Sequence, residues 1–347
     1  MPSIWGKNVW LTDATTKGYV KNNAAFVIMR KLLITGGAGF IGSTLAKISQ
    51  RNGWDVRVLD NLSTGLQRTA DELESLGMSV IIGDVRDEGV VHQVVKGCDA
   101  VVHLAAQVSV PISMTNPKET MSINVDGTAS VISSCLEHGV ERMVVASSAA
   151  VYGEAQNLPL IEDDAGDVLS PYAESKYINE SQIFEARERG LKATALRFFN
   201  VYGRGQRPDG AYAAVIPKFA DMMAKGVAPQ VNGDGLHTRD FVHVDDVCSA
   251  IMSLIEGEWK AGEYHVYNVA TQTKVTLLDL IESINGALER LTEHHETLIP
   301  THGPERIGDI RHSMASIQRI TSTLDWKPIV KFQDGIEGLV RERLLIK

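Results

Sequence analysis

Three glycines and one aspartate near the start of the chain constrain its fold more than any other feature. Gly36, Gly39 and Gly42 lie in TGGAGFIG, between an apolar strand-like run and an amphipathic helix pattern, and a second apolar run ends at Asp60. A strand, a glycine-rich turn, a helix and a second strand ending in an acid together form a dinucleotide-binding unit. Flexible turns alone do not account for the aspartate. The sequence therefore predicts a dinucleotide site.

Each residue of this unit has a physical task. Gly36 permits the tight turn, Gly39 lets the backbone approach a pyrophosphate, and Gly42 allows close helix–strand packing. The pyrophosphate then lies at the positive end of the helix that starts near Phe40. Asp60 can accept hydrogen bonds from the adenosine ribose hydroxyls, and a 2′-phosphate of roughly −2 charge would be repelled by it. We therefore expect NAD rather than NADP.

Composition excludes several classes of partner. The chain has 347 residues, 44% of them hydrophobic, and a formal net charge of −9. This length supports one large domain or two coupled ones, and the charge argues against a nucleic-acid or membrane partner. No apolar run reaches the roughly 18 residues that span a bilayer. Cys98, Cys135 and Cys248 are far apart in apolar stretches, as expected for free thiols in the cytoplasm.

Residues 1–28 do not continue the pattern of the rest. They have no signal-peptide core and no clear period, and Met29 directly precedes the first strand-like run. We expect either a start of translation at Met29 or a poorly ordered N-terminal extension. The alternative is an arm that binds a partner through Trp5, Trp10 and Phe26.

After Asp60 the chain alternates between short apolar runs and helical segments. The apolar runs span 79–84, 99–106, 141–148 and 192–200, and the helical segments include 88–97 and 124–139. Runs that are apolar almost throughout are typical of parallel strands covered on both faces. We therefore predict an α/β fold with a doubly wound, Rossmann-type parallel sheet, whose ligands bind at the carboxyl ends of the strands.

The pattern becomes irregular from about residue 201. GRGQRPDG interrupts the alternation, 239–257 reads as a strand and helix that return to the sheet, and amphipathic helices follow near 276–291 and 332–346. We expect 29–200 plus 237–265 to form the NAD-binding domain. A smaller, discontinuous C-terminal lobe, 201–236 plus 266–347, would cover the cofactor and bind the substrate.

Tyr172 and Lys176 form the strongest catalytic pattern. At positions i and i+4 they share one face of a helix. A phenol needs a pKa about 3 units below its ordinary value near 10 to act as a base at neutral pH, which requires about 4 kcal/mol of stabilisation of the tyrosinate. The ammonium group of Lys176 and the positive nicotinamide ring can together supply it. Ser148 ends an apolar run and would place a hydroxyl in the crevice. Ser147 would face the opposite side, and spacing to Tyr172 favours Ser148.

Several motifs together resemble the extended short-chain dehydrogenase/reductase family. They are TGGAGFIG, GDVRD, HLAAQ, SSAAVYG, PYAESK, RFFNVYG and RDFVHVDDV, spread over residues 30 to about 330. Within this family the chain is similar to nucleotide-sugar 4-epimerases of the UDP-glucose/UDP-N-acetylglucosamine type. The resemblance implies a tightly held NAD, with Tyr172 as base, Lys176 lowering its pKa and holding the nicotinamide ribose, and Ser148 assisting at the sugar hydroxyl.

The resemblance also implies two sets of binding residues. The expected cofactor contacts are Gly36, Gly39, Phe40, Ile41, Gly42, Asp60, Asn61, Ser63, Gly65, Asp84, Val85, Leu104, Ala105, Ala106, Gln107, Asn124, Tyr172, Lys176 and Phe199. The expected substrate contacts are Ser148, Tyr172, Asn200, Ala214, Val215, Arg239, Arg306, Asp309 and Ser313. Ala214 departs from the family pattern, in which asparagine is frequent, so one polar contact is lost there.

Two positions indicate the reaction and the sugar. Ala149 and Ala150 follow Ser148, where dehydratases of the family carry an acidic pair and decarboxylases typically a glutamate. Their absence favours reversible oxidation at C4, with inversion through a 4-keto sugar. Ser313 stands where glucose-restricted members carry tyrosine, so an N-acetyl group at C2 would fit. An ordinary surface serine is the alternative interpretation.

Other functions remain open at this stage. A UDP-glucuronate 4-epimerase has a similar background, and a non-catalytic NAD sensor is an alternative of another class, although it would not need Ser148, Tyr172 and Lys176. The resemblance implies a homodimer joined through helices like 124–139 and 171–190. His294, His295 and His302 lack the spacing of metal ligands, so we expect no metal. His103 and His243 fit core positions.

Overall fold

A seven-stranded parallel sheet forms the centre of the protein. The computed structural model describes residues 29–154, 157–209, 214–259, 261–262, 264–305 and 310–345. The strands, in chain order, are β1 Lys31–Thr35, β2 Asp55–Asp60, β3 Ser79–Ile82, β4 Ala100–His103, β5 Arg142–Ser148, β6 Lys192–Phe198, β7 Val201–Tyr202, β8 Gln230–Asn232, β9 Thr238–Arg239, β10 Val242–His243, β11 Val266–Val269, β12 Val275–Thr276 and β13 Thr301–Gly303. The expectations for residues 1–28 and the roles of Arg306 and Asp309 lie outside the described residues.

The sheet has the predicted doubly wound topology. Its strand order is β11-β6-β5-β4-β1-β2-β3, and all neighbouring strands are parallel. The chain winds outward in one direction from β1 to β3 and in the other from β4 to β6. The order reverses between β1 and β4, and ligands of such sheets bind at this reversal, beyond the carboxyl ends of the strands.

Helices cover both faces of the sheet and build the rest of the molecule. They are α1 Phe40–Arg51, α2 Gln67–Ser75, α3 Glu88–Val95, α4 Val110–Thr115, α5 Pro117–Met121, α6 Gly127–His138, α7 Pro171–Glu188, α8 Val215–Ala224, α9 Val244–Ile255, α10 Leu277–Leu291, α11 Gln318–Leu324 and α12 Phe332–Leu345. A π-helical turn over Ser122–Asp126 joins α5 to α6. The helix expected over 124–139 is thus the second half of a longer helical run, whose first half the sequence did not predict.

Alternation along β1 shows why its sequence is apolar throughout. Leu32 and Ile34 belong to one core, shared with α1 and α9, whereas Leu33 belongs to a second core, shared with α3, α6 and α7. All three side chains are 0% exposed. Successive strand residues point to opposite faces, so a strand covered by helices on both sides must be apolar at every position.

A third core lies outside the sheet. It is formed mainly by α8, α10 and α12, with Tyr202 and Phe241 packed among them. Hydrophobic residues recur along these helices at the spacing expected of amphipathic helices, which explains why they pack together. Segments on both sides of α9 build this core.

Candidate active site

The glycine-rich turn between β1 and α1 brings three segments unusually close. Gly36 has φ +70, and a Cβ there would lie 2.7 Å from the backbone nitrogen of Ala105. A Cβ on Gly42 would lie 2.3 Å from the carbonyl oxygen of Gly36, so only glycine permits this helix–turn packing. Gly39 is the N-cap of α1 and, within the described residues, no side chain caps this helix end. An uncapped N-terminus of this kind fits a phosphate group.

Asp60 connects the end of β2 to this turn. The carboxylate is 7% exposed and accepts hydrogen bonds from the backbone N–H groups of Ala38 (2.9 Å) and Leu62 (2.8 Å). Gly65 packs so closely that a Cβ there would lie 2.8 Å from Asp60 Oδ1. Because a carboxylate offers about four acceptor positions, these two bonds leave capacity for ribose hydroxyls, as the sequence analysis requires.

Next to Asp60, a group of charged side chains follows β3. Arg86 donates to both oxygens of Asp84 at 2.9 and 2.8 Å, and also to Glu119 at 2.9 Å. The guanidinium of Arg86 holds the pKa of Asp84 well below its usual range. Asn61 donates to Asp84 at 3.1 Å. Arg86 and Glu119 are not among the site residues predicted from the sequence. Their pairing leaves Arg86 engaged by two carboxylates rather than presented as a site for an additional phosphate.

The loop after β4 is held by the π-helical turn. Asn124 is 1% exposed; its Oδ1 accepts from the backbone of Gln107 (2.8 Å), and its Nδ2 donates to Gln107 O (3.0 Å) and Ser175 Oγ (2.9 Å). In the part of the chain that the structure describes, the buried Oε1 of Gln107 has no hydrogen-bond partner. An unpaired buried acceptor beside the glycine-rich crevice fits a bound polar group such as a dinucleotide.

The predicted catalytic residues meet where β5 ends against α7. Ser148 is the last residue of β5; its hydroxyl accepts a hydrogen bond from the backbone N–H of Ala150 at 3.1 Å and lies near the Tyr172 phenol, on whose pKa it has a lowering effect. Lys176 is 3% exposed and donates from Nζ to the carbonyl of Ala146 at 2.9 Å. Ser147 faces the other way, towards Glu180. The structure therefore places Ser148, rather than Ser147, beside the tyrosine, because adjacent strand residues point to opposite faces.

Local sequence explains how α7 presents this pair. Ser170 caps the helix by accepting from Ala173 N at 3.1 Å, and Pro171 occupies the first helical position, where proline is favoured. Tyr172 and Lys176 then lie one turn apart on the face that packs against β5.

Burial dominates the titration of both side chains. Burial raises the pKa of Tyr172, and the nearby Ser148 hydroxyl acts in the opposite direction. Burial lowers the pKa of Lys176 to about 8, while the negative charge of Glu180 opposes that effect. The protein's own groups thus do not lower the pKa of the phenol, in contrast to the expectation from Lys176 alone. A further positive charge near Tyr172 is needed for a base at neutral pH.

Some expected cofactor contacts have side chains that face the core. Phe199 is 0% exposed and packs against Tyr152, with ring centroids 5.9 Å apart. Val85 is 5% exposed and lies against the backbone of Gly127. Leu104 and Ala105 follow β4, where their backbone N–H groups donate to Thr35. These positions shape the crevice through backbone and packing, and sequence alone did not separate such residues from those with side chains in the crevice.

Asp240 gathers several expected substrate residues around it. Asn200 Nδ2 donates to the carbonyl oxygen of Asp240 at 2.8 Å, and Arg239 precedes it in the chain. The buried carboxylate of Asp240 accepts from Ala315 N at 3.3 Å, two residues beyond Ser313. Ser313 itself donates from its backbone N–H to Thr238 O at 3.1 Å. Asn200, Arg239 and Ser313 are thus brought together by an aspartate to which the sequence analysis gave no role.

Positive charge is concentrated beside Ser313. His312 hydrogen bonds through Nδ1 to Thr238 Oγ1 at 2.9 Å. Desolvation and the positive charges of Arg311, Lys274 and Arg239 lower its pKa. Arg311 is itself paired with Asp234 at 2.6 Å, so much of its charge is already compensated. Ala214 and Val215 lie at the start of α8, outside these contacts.

The histidines interpreted as core residues occupy such positions. His103 lies between Thr35 Oγ1 (2.8 Å) and Thr128 Oγ1 (3.0 Å), and burial lowers its pKa to about 3. His243 accepts from Asp245 N at 3.2 Å and packs against the ring of Tyr202. Among the described residues, no cluster of three or more His, Cys, Asp or Glu side chains is arranged to hold a metal, and no helix is long and apolar enough to span a membrane.

Comparison with known proteins places the chain in a family. Residues 32–270 match the family model described as NAD dependent epimerase/dehydratase family. A putative UDP-glucose 4-epimerase of Methanocaldococcus jannaschii is 35% identical over 312 residues, which cover 89% of this chain and 97% of the relative. A UDP-N-acetyl-alpha-D-glucosaminuronate decarboxylase of Bacillus cytotoxicus is 28% identical over 318 residues, covering 90% of this chain and 97% of the relative.

The structural comparison agrees. A UDP-N-acetylglucosamine 4-epimerase from Methanobrevibacter ruminantium, in complex with UDP-N-acetylmuramic acid, superposes with a TM-score of 0.84 at 32% identity, covering 92% of this chain and 99% of that one. The fold and the match over most of the chain define an NAD-dependent α/β enzyme of Rossmann type. The chain belongs to the NAD dependent epimerase/dehydratase family. The predicted family, fold and NAD cofactor are thereby confirmed.

Proposed function

We propose that the protein is a UDP-hexose 4-epimerase that acts on UDP-N-acetylglucosamine/UDP-N-acetylgalactosamine as well as UDP-glucose/UDP-galactose. The observation that carries this proposal is the end of β5. The Ser148 hydroxyl lies near the Tyr172 phenol and lowers its pKa against the effect of burial, and the helical turn Ala149–Tyr152 that follows contains no acidic residue. Elimination or decarboxylation calls for additional acid–base groups beside the sugar, whereas reversible oxidation needs the Ser148–Tyr172 pair and the cofactor.

The protein's residues divide the proton transfers between them. Tyr172, as phenolate, takes the proton from the sugar O4 and later returns it to the same oxygen, while Ser148 shares a hydrogen bond with that oxygen. Lys176 places a buried positive charge one turn further along α7. When bound, NAD would supply positive charge to the crevice and reversible hydride acceptance, so that a 4-keto sugar reduced again on its opposite face would be inverted at C4.

The fit of the cofactor rests on the crevice at the reversal of the sheet. The uncapped start of α1 suits its pyrophosphate, and Asp60 has acceptor capacity for its adenosine ribose. We further propose that Asn61, Ser63 and Asp84 surround the adenosine end. Gln107, with its unpaired buried Oε1, would face the cofactor from the loop after β4.

The cluster around Asp240 is proposed to bind the UDP-sugar. Asn200 and Arg239 would contact the nucleotide diphosphate, together with Arg306 and, at the uridine ribose, Asp309. The positive charge of Lys274 supports an anionic ligand here. Ser313 is small and partly exposed, and its backbone is held by Thr238. Such a residue leaves room for an N-acetyl group at C2 without excluding a hydroxyl.

Three further expectations accompany this function. The cofactor domain would comprise 29–200 plus 237–265, and the substrate lobe 201–236 plus 266–347.

A homodimer would pair α6 and α7 with their copies, which the exposed Tyr177 and Phe184 on α7 support. A purely monomeric mass by light scattering would exclude the dimer. Three buried free cysteines support a cytoplasmic location.

A turnover assay tests the function directly. The purified protein is incubated, without and with added NAD, with UDP-glucose, UDP-N-acetylglucosamine or UDP-glucuronate, and the products are resolved by NMR. We expect the C4 epimers of the first two sugars. If only UDP-glucuronate were epimerised, the protein would be a UDP-glucuronate 4-epimerase instead. If carbon dioxide were released from UDP-glucuronate, the protein would be a decarboxylase rather than an epimerase. No conversion of any sugar with NAD present would contradict the proposal.

A further inference from the structure

Two consecutive residues near the end of β5 are tied to successive turns of α7. Lys176 Nζ donates to the carbonyl of Ala146 at 2.9 Å, and Ser147 Oγ donates to Glu180 Oε1 at 2.5 Å. Lys176 and Glu180 are four residues apart, and Tyr172 lies four residues before Lys176. All three therefore occupy one face of the helix. These two bonds therefore hold α7 against β5 at two successive turns of the helix.

Glu180 is fully engaged beneath the site. It is 3% exposed and forms a bidentate pair with Arg197, which is also 3% exposed, at 2.8 and 2.7 Å. Arg197 in turn donates to Tyr152 Oη at 2.9 Å and to the carbonyl of Glu162 at 2.6 Å. A buried carboxylate that accepts three short hydrogen bonds has little freedom to move. The two elements it joins, β5 and α7, carry Ser148 and the Tyr172–Lys176 pair.

We propose that Glu180 is a positioning residue of the active site. Its carboxylate fixes the end of β5 against α7 through Ser147, and its negative charge favours the protonated form of the buried Lys176. It touches neither substrate nor cofactor and acts through Ser147 and Lys176. The role in turnover rests on the proposed epimerase function, whereas the role in the charge of Lys176 does not.

The charges around Lys176 come from three elements. On α7 itself, Glu180 is negative and Tyr172 is a neutral phenol of raised pKa. On β4, His103 is neutral because its pKa is lowered to about 3. On β6, Arg197 is positive and paired with Glu180. Removing the charge of Glu180 would leave Arg197 uncompensated, so both changes act in the same direction, against the protonated lysine.

The charge is tested by a titration that needs no turnover. Protein labelled with ¹³C-lysine is titrated by NMR, and the Lys176 resonance is assigned by its loss in Lys176→Met. We expect a wild-type midpoint near 8 and, in Glu180→Gln, a midpoint lower by about 1 unit or more. The matched control is Glu162→Gln, which changes another buried carboxyl group near Arg197, one that bonds to Asn268 rather than to β5, and which should shift the midpoint by clearly less. An unchanged midpoint in Glu180→Gln, or equal shifts in both variants, overturns the proposal.

The tie to β5 is tested by a smaller change. Ser147→Ala removes one hydroxyl and leaves the Glu180–Arg197 pair in place. It therefore tests the Ser147–Glu180 hydrogen bond, which is the tie between β5 and α7, even if Glu180→Gln does not fold. We expect kcat to fall about tenfold with KM unchanged, as for loss of one buried hydrogen bond. Ser181→Ala, at an exposed position of the same helix, is the control. Equal kcat in the two serine variants would refute the tie. Absence of any turnover in the wild type would refute the proposed function and leave the Lys176 titration decisive.

Discussion

The Asp60 carboxylate and the backbone N–H of Ala38 form a hydrogen bond of 2.9 Å that ties the end of β2 to the glycine-rich turn. The same carboxylate accepts from Leu62, which has a left-handed φ of 58. A non-glycine residue in that region costs energy and is frequent at functional sites. Asp60 therefore shapes the turn as well as offering acceptors to a ribose.

Asp60→Asn should weaken NAD binding at least about tenfold, because it replaces a charged acceptor with a neutral amide that also brings donors towards Ala38 and Leu62. The measurement is the NAD content of the purified protein together with a fluorescence titration. Asp55→Asn, at the exposed other end of the same strand, should bind NAD like wild type. Equal NAD affinity in both variants would show that Asp60 does not contact the cofactor.

Tyr172→Phe should retain the fold and NAD but lower kcat by about 100-fold to 10,000-fold, because it removes the phenol that takes the proton. Turnover is measured by NMR, and folding by circular dichroism. Tyr177→Phe, which changes an exposed tyrosine of the same helix, provides the comparison. Wild-type turnover by Tyr172→Phe would mean that another residue is the base.

Some parts of this site could be predicted from the sequence and others could not. The spacing of Gly36, Gly39 and Gly42 and the period of β5 are local patterns, so they predicted the crevice and the side on which Ser148 lies. Phe199 illustrates the limit. It adjoins Asn200 in a motif that suggested the crevice, yet its side chain is fully buried against Tyr152. Which face a residue presents at the end of a strand depends on the backbone there.

Contacts between distant segments could not be predicted. Asn124 is 51 residues from Ser175, and Asp240 is 75 residues from Ala315, yet both pairs are hydrogen bonded. Nothing in the local sequence distinguishes these residues from ordinary polar ones. The sequence contains one pattern that points to Glu180, because this residue continues the four-residue spacing of Tyr172 and Lys176 on α7. A role for Glu180 was nevertheless not predicted.

Ser313→Tyr should reduce kcat/KM for UDP-N-acetylglucosamine at least about tenfold and leave that for UDP-glucose within about threefold, because the added ring occupies the space of the N-acetyl group. Rates on the two sugars are compared in the same assay. Ser322→Tyr, on the exposed side of α11, should preserve the wild-type ratio. A ratio unchanged in Ser313→Tyr would show that Ser313 does not face C2.

His103 should make the protein less stable in mild acid. Its folded-state pKa, about 3, lies below the ordinary value of 6.5, so the unfolded chain binds the extra proton first. The contribution is complete above about pH 6.5 and is lost progressively as the pH falls towards 3. Between pH 7 and 5 this amounts to about 2 kcal/mol.

Urea unfolding at pH 7 and pH 5 checks this contribution. His103→Gln, which retains a side chain able to bond with Thr35 and Thr128, should lose about 2 kcal/mol less of its unfolding free energy between the two pH values than wild type. His302→Gln changes a histidine at an exposed position and should follow the wild-type difference. If His103→Gln also shows the wild-type change in unfolding free energy, then the pKa of His103 is not lowered by burial in the folded protein.

Asp240→Asn should weaken UDP-sugar binding while leaving NAD binding intact. The carboxylate accepts from Thr271 N (2.8 Å), Thr271 Oγ1 (2.6 Å), Gln272 N (3.0 Å) and Ala315 N (3.3 Å), and it is 0% exposed. An asparagine presents an N–H₂ group to at least one of these donors. The resulting unpaired group lowers the free energy of unfolding by about 1–3 kcal/mol. The segment that carries Ser313 also loses its hydrogen bond from Ala315 N to Asp240.

Isothermal titration with UDP and with NAD separates this local effect from general unfolding. For Asp240→Asn we expect UDP affinity to fall at least about tenfold, with NAD affinity within about twofold of wild type. Asp245→Asn, which changes an exposed aspartate in the first turn of α9, should alter neither. Parallel losses of UDP and NAD affinity would mean that Asp240 supports the whole fold. Unchanged UDP affinity would mean that the Ser313 segment keeps its position without this aspartate, because its backbone bonds to Thr238 suffice.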